Sequence, residues 1–439
     1  MATTRLTRTP SSAGNRKKFN FSFWIKGNDF VSDYIMFSAS GSSESAIVFD
    51  SSSRLEYYEY NGSSKTTQIT TNRVFRDCSA WYHINISIDT TQSTASNRVK
   101  FYVNGVQETS LANSTYGAED FDSLLNNTTA QYIGGTASGG QFDGSMSHIH
   151  FNDGYVYPAS TFGSTDSTTG EWEINTSPSM TMGTNGFTIL KDGNIITDQS
   201  SNSNDWSLAA GTLTKTEDCP DNVFACINGI AQGTYNLTLT NGNNTVYCTD
   251  DAWRSAFSTF ALSSGKYYFE VKRVGSSANM SVGIVDQSQL TGTVGTDKLQ
   301  TQTRGYAYLA SGQKGNSGSE TSWGNAYAQN DIVGCAVDFD NGKIYFSKNG
   351  AWENSGDPTS GSTGTGSMYD LASGYDYLIG TSLYSTSAGA SFNFGNGFYG
   401  TTAVTTNSGN GYAGAEGKSI FSYQPPTNYS ALNTRGLNE

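Results

Sequence analysis

Residues 81–89 read WYHINISID, with an apolar residue at every second position of the second half. Successive side chains of a β-strand point to opposite faces, so the three isoleucines share one face and the polar residues between them share the other. Residues 98–103, RVKFYV, continue the alternation and run into an Asn-Gly dipeptide, which is favoured in tight hairpin turns. The two segments predict a pair of antiparallel strands.

Short alternating segments of the same kind recur along the chain, separated by turn residues. Toward the start they include FNFSFWI (19–25), SAIVF (45–49), RLEYYEY (54–60) and GSMSHIHF (144–151), and toward the end GKYYFEV (265–271), MSVGIV (280–285), DIVGCAVDF (331–339) and IYFSKNG (344–350). No window of about 11 residues keeps a helical period with helix-forming residues. The pattern predicts an all-β chain with two antiparallel β-sandwich (jelly-roll) domains.

The boundaries follow from where the alternation stops. Residues 1–160 are expected to form the first sandwich and residues 235–423 the second. Residues 161–234 are poor in alternation and rich in Ser, Thr, Asn and Asp, but they hold aromatic residues that need burial. They predict an ordered, β-poor connector, and residues 424–439 are expected to be a C-terminal tail.

The charge balance excludes several partners. Against 25 Lys and Arg stand 38 Asp and Glu, a net charge of -13, which argues against coating nucleic acid or docking on anionic lipid. No apolar run reaches the roughly 18 residues of a membrane span, and the first residues lack the apolar segment of a secretory signal. We therefore expect no nucleic-acid partner and no membrane insertion. Only 14% of residues are charged, which suits an extracellular or virion surface.

Two domain families resemble these regions. Residues 1–160 are similar to the laminin-G/concanavalin-A-like family, and the positions that fill its pattern are Trp81, Asp89, Tyr102, Asn104, Gly105, Gly134, Phe142, Gly144 and Phe151. Residues 235–423 resemble a SPRY domain. The positions that fill its pattern are Gly265, Lys266, Tyr268, Glu270, Val282, Gly283, Asp331, Gly334, Asp338, Phe346, Asn349, Gly350, Asn393, Phe394 and Gly395. Both resemblances imply β-sandwiches.

The combination resembles virion structural proteins of tailed phages of the marine and cyanophage type. The similar segments are LTRTPSSAGNRK (6–17), FRDCSAWYHI (75–84), DCPDNVFACIN (218–228) and YQPPTNYSALNT (423–434), so the resemblance spans the chain. It implies a structural or adhesive protein on the tail or capsid surface, made in the host cytoplasm. Its partners would be other virion proteins, and we expect a homo-oligomer, for a fibre a trimer.

An enzymatic role is not expected. Retaining glucanases, which also use the concanavalin-like fold, need two carboxyl groups about 5–5.5 Å apart. Glu56 and Glu59 have opposite parity on one predicted strand, and Glu171 and Glu173 fall in the connector. Solvated acids of strands and turns explain these residues better.

Binding residues are sought in loops. Trp253, Trp323 and Trp352 lie near loops of the SPRY-like region, where that family binds its partners. No cofactor is required, but calcium fits the lectin-like resemblance. Asp89, Asp143 and Asp153 are the candidate ligands, although calcium needs six to eight oxygens that sequence cannot assemble.

Two functional hypotheses remain open. The first is a tail-fibre or tail-tip adhesin that contacts a host surface glycan or receptor. The second is a capsid decoration or connector protein that stabilises the particle without binding the host. Long Gly/Ser/Asn loops favour the first hypothesis, whereas the absence of a fibrous shaft favours the second.

Overall fold

The computed structural model describes residues 4–28, 30, 34–40, 43–229, 236–290, 298–404 and 411–434. The chain divides into two compact units, Met1–Lys215 and Thr216–Glu439. The predicted all-β class is confirmed, since every pairing between the strands named below is antiparallel.

The first unit contains sixteen of the described strands. They are β1 (Arg5–Arg8), β2 (Lys18–Gly27), β3 (Tyr34–Ser40), β4 (Glu44–Phe49), β5 (Arg54–Tyr60), β6 (Lys65–Val74), β7 (Tyr82–Asp89), β8 (Val99–Val103), β9 (Val106–Gln107), β10 (Leu111–Thr115), β11 (Gln131–Ile133), β12 (Gly144–Asp153), β13 (Gly163–Thr165), β14 (Trp172–Ile174), β15 (Phe187–Ile189) and β16 (Ser207–Ala210). Short 3-10 helices lie at Ala95–Asn97 and Ala159–Thr161.

Two sheets of the first unit enclose one core. An eight-stranded sheet has the order β10-β6-β5-β4-β3-β11-β1-β16, a six-stranded sheet has the order β15-β12-β2-β7-β8-β9, and β13 and β14 form a separate hairpin. Phe21 on β2 meets Phe37 on β3 with ring centroids 4.6 Å apart. The three isoleucines of β7 are fully buried in the same core.

The second unit holds the remaining described strands. They are β17 (Leu237–Thr240), β18 (Thr245–Cys248), β19 (Trp253–Leu262), β20 (Lys266–Arg273), β21 (Met280–Asp286), β22 (Gly305–Leu309), β23 (Gln313–Asn316), β24 (Ser319–Ser322), β25 (Ile332–Asp338), β26 (Lys343–Lys348), β27 (Ala351–Trp352), β28 (Tyr369–Asp370), β29 (Tyr377–Tyr384), β30 (Gly389–Asn393), β31 (Phe398–Tyr399) and β32 (Thr402–Ala403). Short 3-10 helices lie at Gln287–Gln289, Leu299–Thr301, Glu353–Ser355 and Gly361–Thr363.

The second unit is again a sandwich. One sheet runs β17-β18-β30-β20-β25-β26-β27, with β28 also paired to β26, and the other runs β19-β29-β21-β22-β23-β24. The core between them contains Tyr267, Phe269 and Val271 of β20. The alternate residues of that strand, beginning with Tyr268, therefore face away from the core. Tyr268 belongs to a second buried cluster with Phe421, Tyr429 and Ala431 among others.

The described residues of the segment expected to form a connector, 161–229, belong to the two units themselves. β15 is the outermost strand beside β12, and β16 pairs with β1. Phe224, Ala225, Cys226 and Ile227 are fully or almost fully buried in the second unit. The first unit thus extends to Lys215, beyond the expected boundary at residue 160. Strands of three or four residues are too short to show a measurable period in the sequence.

Residues 424–434, the described part of the segment expected to be a tail, are also part of the second unit. Tyr429, Ala431 and Leu432 are 0% exposed, and the Tyr429 hydroxyl donates a hydrogen bond to the Pro358 carbonyl oxygen at 2.8 Å. Residues 424–434 of the segment expected to be a tail therefore lie against the outer face of the sheet that contains β20. Among the described residues, no helix has the length and hydropathy needed to cross a bilayer.

Candidate functional site

Three N–H donors bind the Asp153 carboxylate of the first unit. Its Oδ1 accepts hydrogen bonds from the Asn15 backbone N–H and the Asn126 side-chain amide, both at 2.6 Å, and its Oδ2 accepts one from the Asn185 backbone N–H at 2.9 Å. Asp153 is 5% exposed. The observed contacts give Asp153 the role of joining three other segments of the first unit, those of Asn15, Asn126 and Asn185.

Asp89 and Asp143 are likewise engaged by neighbouring side chains. Although partial burial opposes it, hydrogen bonds from Thr91 and Gln92 and the charge of Lys18 hold the pKa of Asp89 below its ordinary value. Asp143 accepts a hydrogen bond from the Asn28 amide at 2.6 Å. The part of the chain that the structure describes contains no group of three or more His, Cys, Asp or Glu side chains placed to hold a metal ion. The structure therefore does not bring the three aspartates together.

The three tryptophans lie at separate places in the second unit. The Lys298 ammonium group lies 4.4 Å from the ring centroid of Trp253, in a cation–π contact. Trp323 packs edge-on against Tyr308, with centroids 5.4 Å apart, and borders the main core. Trp352 instead borders the cluster on the outer face of the sheet. They do not form one aromatic platform.

A groove lies on this outer face, between β20, β25 and β27 of the sheet, residues 356–359 and the chain segments after β30. Its volume is about 730 Å³. We call it the outer groove. Its lining comprises Lys272, Ile332, Gly350, Trp352, Gly356, Asp357, Pro358, Thr359, Tyr399, Thr402, Ala403, Tyr412, Ser422, Tyr423, Gln424, Pro425, Pro426 and Thr427.

The buried carboxylate of Glu270 lies beneath the groove and forms hydrogen bonds with residues of its walls. It is 0% exposed and accepts hydrogen bonds from the Tyr399 and Tyr268 hydroxyls, the Asn393 amide and the backbone N–H groups of Ser422 and Tyr423. Burial raises the pKa of Glu270 from its ordinary value, against the opposing effect of these hydrogen bonds. One carboxylate thus fixes residues on two walls of the outer groove.

Close packing at a glycine sets the position of one wall. Gly350 has φ +82°, and a Cβ built there would lie 2.4 Å from a ring carbon of Tyr423. The ring can approach the backbone this closely only because Gly350 has no side chain. The left-handed turn before β27 and the placement of Tyr423 therefore depend on the same residue.

The groove surface combines aromatic faces, hydroxyl groups and balanced charge. Trp352, Tyr412 and Tyr423 are partly exposed, and neither phenol hydroxyl bonds to another side chain or backbone group within the described ranges. Lys272 holds its ammonium 6.0 Å from the Tyr399 ring centroid. Asp357 is the one carboxylate in the lining given above, so the pair of acids needed for glycoside hydrolysis does not occur there.

Sequence reasoning found only part of this site. Trp352 lies in the outer groove, whereas Trp253 and Trp323 do not line it. Pro425 and Pro426 were missed because residues 424–439 were expected to be a tail, and Tyr412 and Tyr423 were missed because they lie at the end of the predicted second sandwich without a strand pattern of their own. The signal was present in the density of aromatic and proline residues at 421–429, FSYQPPTNY.

Family comparisons match the two units separately. Residues 3–159 match the model of the concanavalin A-like lectin/glucanases superfamily, and residues 266–369 match that of the SPRY domain. The chain contains a concanavalin A-like domain and a SPRY domain. The outer groove is built partly from residues beyond the SPRY match, from Tyr399 to Thr427.

Curated relatives share only a short segment. The chain is 32% identical over 100 residues to the ATP-dependent RNA helicase DDX1 of Xenopus laevis, and 29% identical over 99 residues to the probable ATP-dependent RNA helicase ddx1 of Dictyostelium discoideum. Each match covers 22% of this chain and 12% of the helicase. The chain therefore matches about an eighth of the length of these relatives.

Solved structures match a larger share of this chain. The SPRY domain of human HERC1 is 15% identical with a TM-score of 0.29, and the match covers 36% of this chain and 91% of that domain. Another human SPRY domain is 17% identical with a TM-score of 0.27, covering 36% of this chain and 94% of that one.

Proposed function

We propose that this chain is a non-enzymatic virion protein of a tailed phage that contacts the host cell surface, as a tail-fibre or tail-tip component. The observation that carries the proposal is the outer groove, which presents the partly exposed rings of Trp352, Tyr412 and Tyr423. A buried carboxylate, Glu270, fixes the backbone of Tyr423 and the neighbouring lining residues Tyr399 and Ser422. A surface that is both amphipathic and pre-organised is typical of recognition sites. The resemblance of four segments across the chain to phage virion proteins supports the setting.

The absence of an enzymatic role rests on the chemistry of the groove. Concanavalin A-like and SPRY domains are typically binding folds. Asp357 is the single carboxylate of the lining, and Glu270, which lies beneath it, is fully buried and accepts five hydrogen bonds from neighbours. A carboxylate so engaged is not available to protonate a leaving group or attack a substrate.

Electron cryo-microscopy of the intact particle tests the setting. We expect the chain at the distal end of the tail, as a homo-oligomer, with the outer groove facing away from the particle. A position in the capsid lattice with the outer groove packed against neighbouring subunits would overturn the receptor role and leave the decoration role. The purified chain should also bind host cells saturably.

A further inference from the structure

The outer groove carries equal and opposite charges in a chain that is itself strongly acidic. Its lining holds one cation, Lys272, and one carboxylate, Asp357. The Asp357 Oδ1 accepts hydrogen bonds from the Thr359 backbone N–H at 2.9 Å and hydroxyl at 2.6 Å. Because the chain bears a net charge of -13, a polyanion would be repelled at long range and meet only one positive charge in the groove. The electrostatics favour an uncharged ligand.

The remaining lining has two kinds of surface side by side. The partly exposed rings of Trp352, Tyr412 and Tyr423 offer flat apolar faces. Hydroxyl and amide groups lie among them, contributed by Thr359, Thr402, Ser422, Gln424 and Thr427. A sugar ring has the complementary construction, with an apolar C–H face and hydroxyl groups around its edge. Aromatic side chains bind such amphipathic partners well because a ring supplies contact area and a phenol or indole supplies a polar group.

The dimensions and rigidity of the groove fit the same ligand. About 730 Å³ lies within the usual range of small-ligand sites and accommodates a short oligosaccharide. The Glu270 hydrogen bonds fix Tyr399, Ser422 and Tyr423 before any ligand arrives. Pre-organised walls reduce the entropy lost on binding, which matters for a ligand whose individual contacts are weak.

We infer that the outer groove is a binding site for an uncharged saccharide chain. The sugar rings stack on Trp352 and Tyr423, and the sugar hydroxyl groups form hydrogen bonds with Lys272, Asp357 and the hydroxyl groups of the lining. This inference deepens the proposed function, because it names the ligand class of the same surface. The site lies in the second unit, partly on segments outside the SPRY match, and is separate from the concanavalin A-like domain.

The test is a glycan array probed with the full chain, followed by calorimetric titration of the best neutral oligosaccharide. The array carries neutral hexose and N-acetylhexosamine chains, matched uronate chains and their methyl esters. We expect binding to neutral chains and to methyl esters, with the free uronates weaker. No binding to any neutral chain, or a preference for the free uronates, would overturn the inference. Displacement of the bound saccharide by a proline-rich peptide of equal affinity would also overturn it, in favour of a peptide site.

Three variants locate the site. Trp352→Ala should weaken saccharide binding by about tenfold or more, and Tyr423→Phe, which keeps the ring and removes only the hydroxyl, by about fivefold. Trp253→Ala is the matched control outside the groove and should bind as the parent does. If Trp352→Ala unfolds, Tyr423→Phe still decides the question, and equal binding by that variant and the parent would overturn the assignment.

Outcomes for the site and for the proposed function are separable. Saturable binding to host cells without affinity for any neutral saccharide would refute the saccharide inference and leave the receptor role standing. Saccharide binding by a chain that cryo-microscopy places inside the capsid lattice would refute the receptor role and leave the groove assignment standing.

Discussion

Glu270 shows how one side chain joins the fold to the candidate site. Its Oε2 accepts hydrogen bonds from Tyr399, Asn393 and the Ser422 backbone N–H, and its Oε1 from Tyr268 and the Tyr423 backbone N–H. A buried carboxylate is costly unless its oxygens are satisfied, and here three of the five donors belong to residues that line the outer groove, Tyr399, Ser422 and Tyr423.

Glu270→Gln should destabilise the second unit by about 2–3 kcal/mol. The new amide group replaces one acceptor oxygen with a donor, so at least one buried N–H or hydroxyl on that side loses its partner. Urea denaturation followed by tryptophan fluorescence measures the change. Glu320→Gln, an exposed position on β24, is the control and should change stability by less than about 0.5 kcal/mol. Equal stability of the two variants would mean that the Glu270 contacts contribute nothing net.

At the scale of elements, the hairpin β13–β14 closes the outer face of the six-stranded sheet in the first unit. Trp172 of β14 stacks on His83 with ring centroids 5.8 Å apart, and Phe162 stacks on His150 at 5.7 Å. Gly105 admits the indole, because a Cβ there would lie 2.2 Å from a ring carbon of Trp172. The polar face of β7 that the alternation predicted is therefore covered by protein.

Covering these histidines makes the first unit sensitive to acid. Burial lowers the pKa of His83 and of His150 to about 3, and for His150 the nearby charges of His148, His83 and Lys191 act in the same direction. The unfolded chain takes up protons below about pH 6.5, whereas the folded unit cannot until about pH 3. Stability is therefore complete above about pH 6.5 and falls as the pH is lowered. Between about pH 6.5 and pH 4.5, the two imidazoles together should lower the free energy of unfolding of the first unit by about 4–5 kcal/mol.

Chemical denaturation at these two pH values, with and without His83→Phe, isolates the contribution of one ring. The variant should lose about 2 kcal/mol of the pH dependence, since phenylalanine keeps the stacking surface but cannot bind a proton. Tyr155→Phe is the control, because Tyr155 is an exposed aromatic residue of the same unit. A pH dependence unchanged by His83→Phe would show that this imidazole is protonated equally in the folded and unfolded chain.

At the scale of the whole molecule, the period of apolar residues predicts the long strands but does not predict the short ones. β7 and β20 alternate over eight residues each, and both the all-β class and the sandwich architecture follow from such segments. β15 and β16 have three and four residues, too few for a period, and their partners lie far along the chain. The outer groove escaped prediction for the same reason, because residues 411–434 cross a sheet face with isolated bridges and buried aromatic rings rather than with a regular strand.

The extent of the first unit is therefore the feature that a fragment experiment tests best. Phe187, Ile189 and Trp206 lie after residue 160, and each is at most 5% exposed in the core shared by both sheets of this unit. Without them, Phe151 loses its ring contact with Phe187, whose centroid lies 5.6 Å away. Removing three large buried side chains should cost about 5 kcal/mol or more, which is a large part of a domain's total stability.

We expect residues 1–215 to unfold in one cooperative transition with a native near-ultraviolet circular dichroism spectrum. Residues 1–160 should show a broad transition at lower temperature and bind a hydrophobic dye, since the exposed side of β12 would lack β15. A fragment of residues 1–180 keeps the β13–β14 hairpin but lacks β15 and β16, so it separates the effect of the hairpin from that of the two short strands. If residues 1–160 unfolded cooperatively at the same midpoint temperature as residues 1–215, the domain boundary would lie at residue 160. Residues 161–215 would then not be needed for the stability of the first unit.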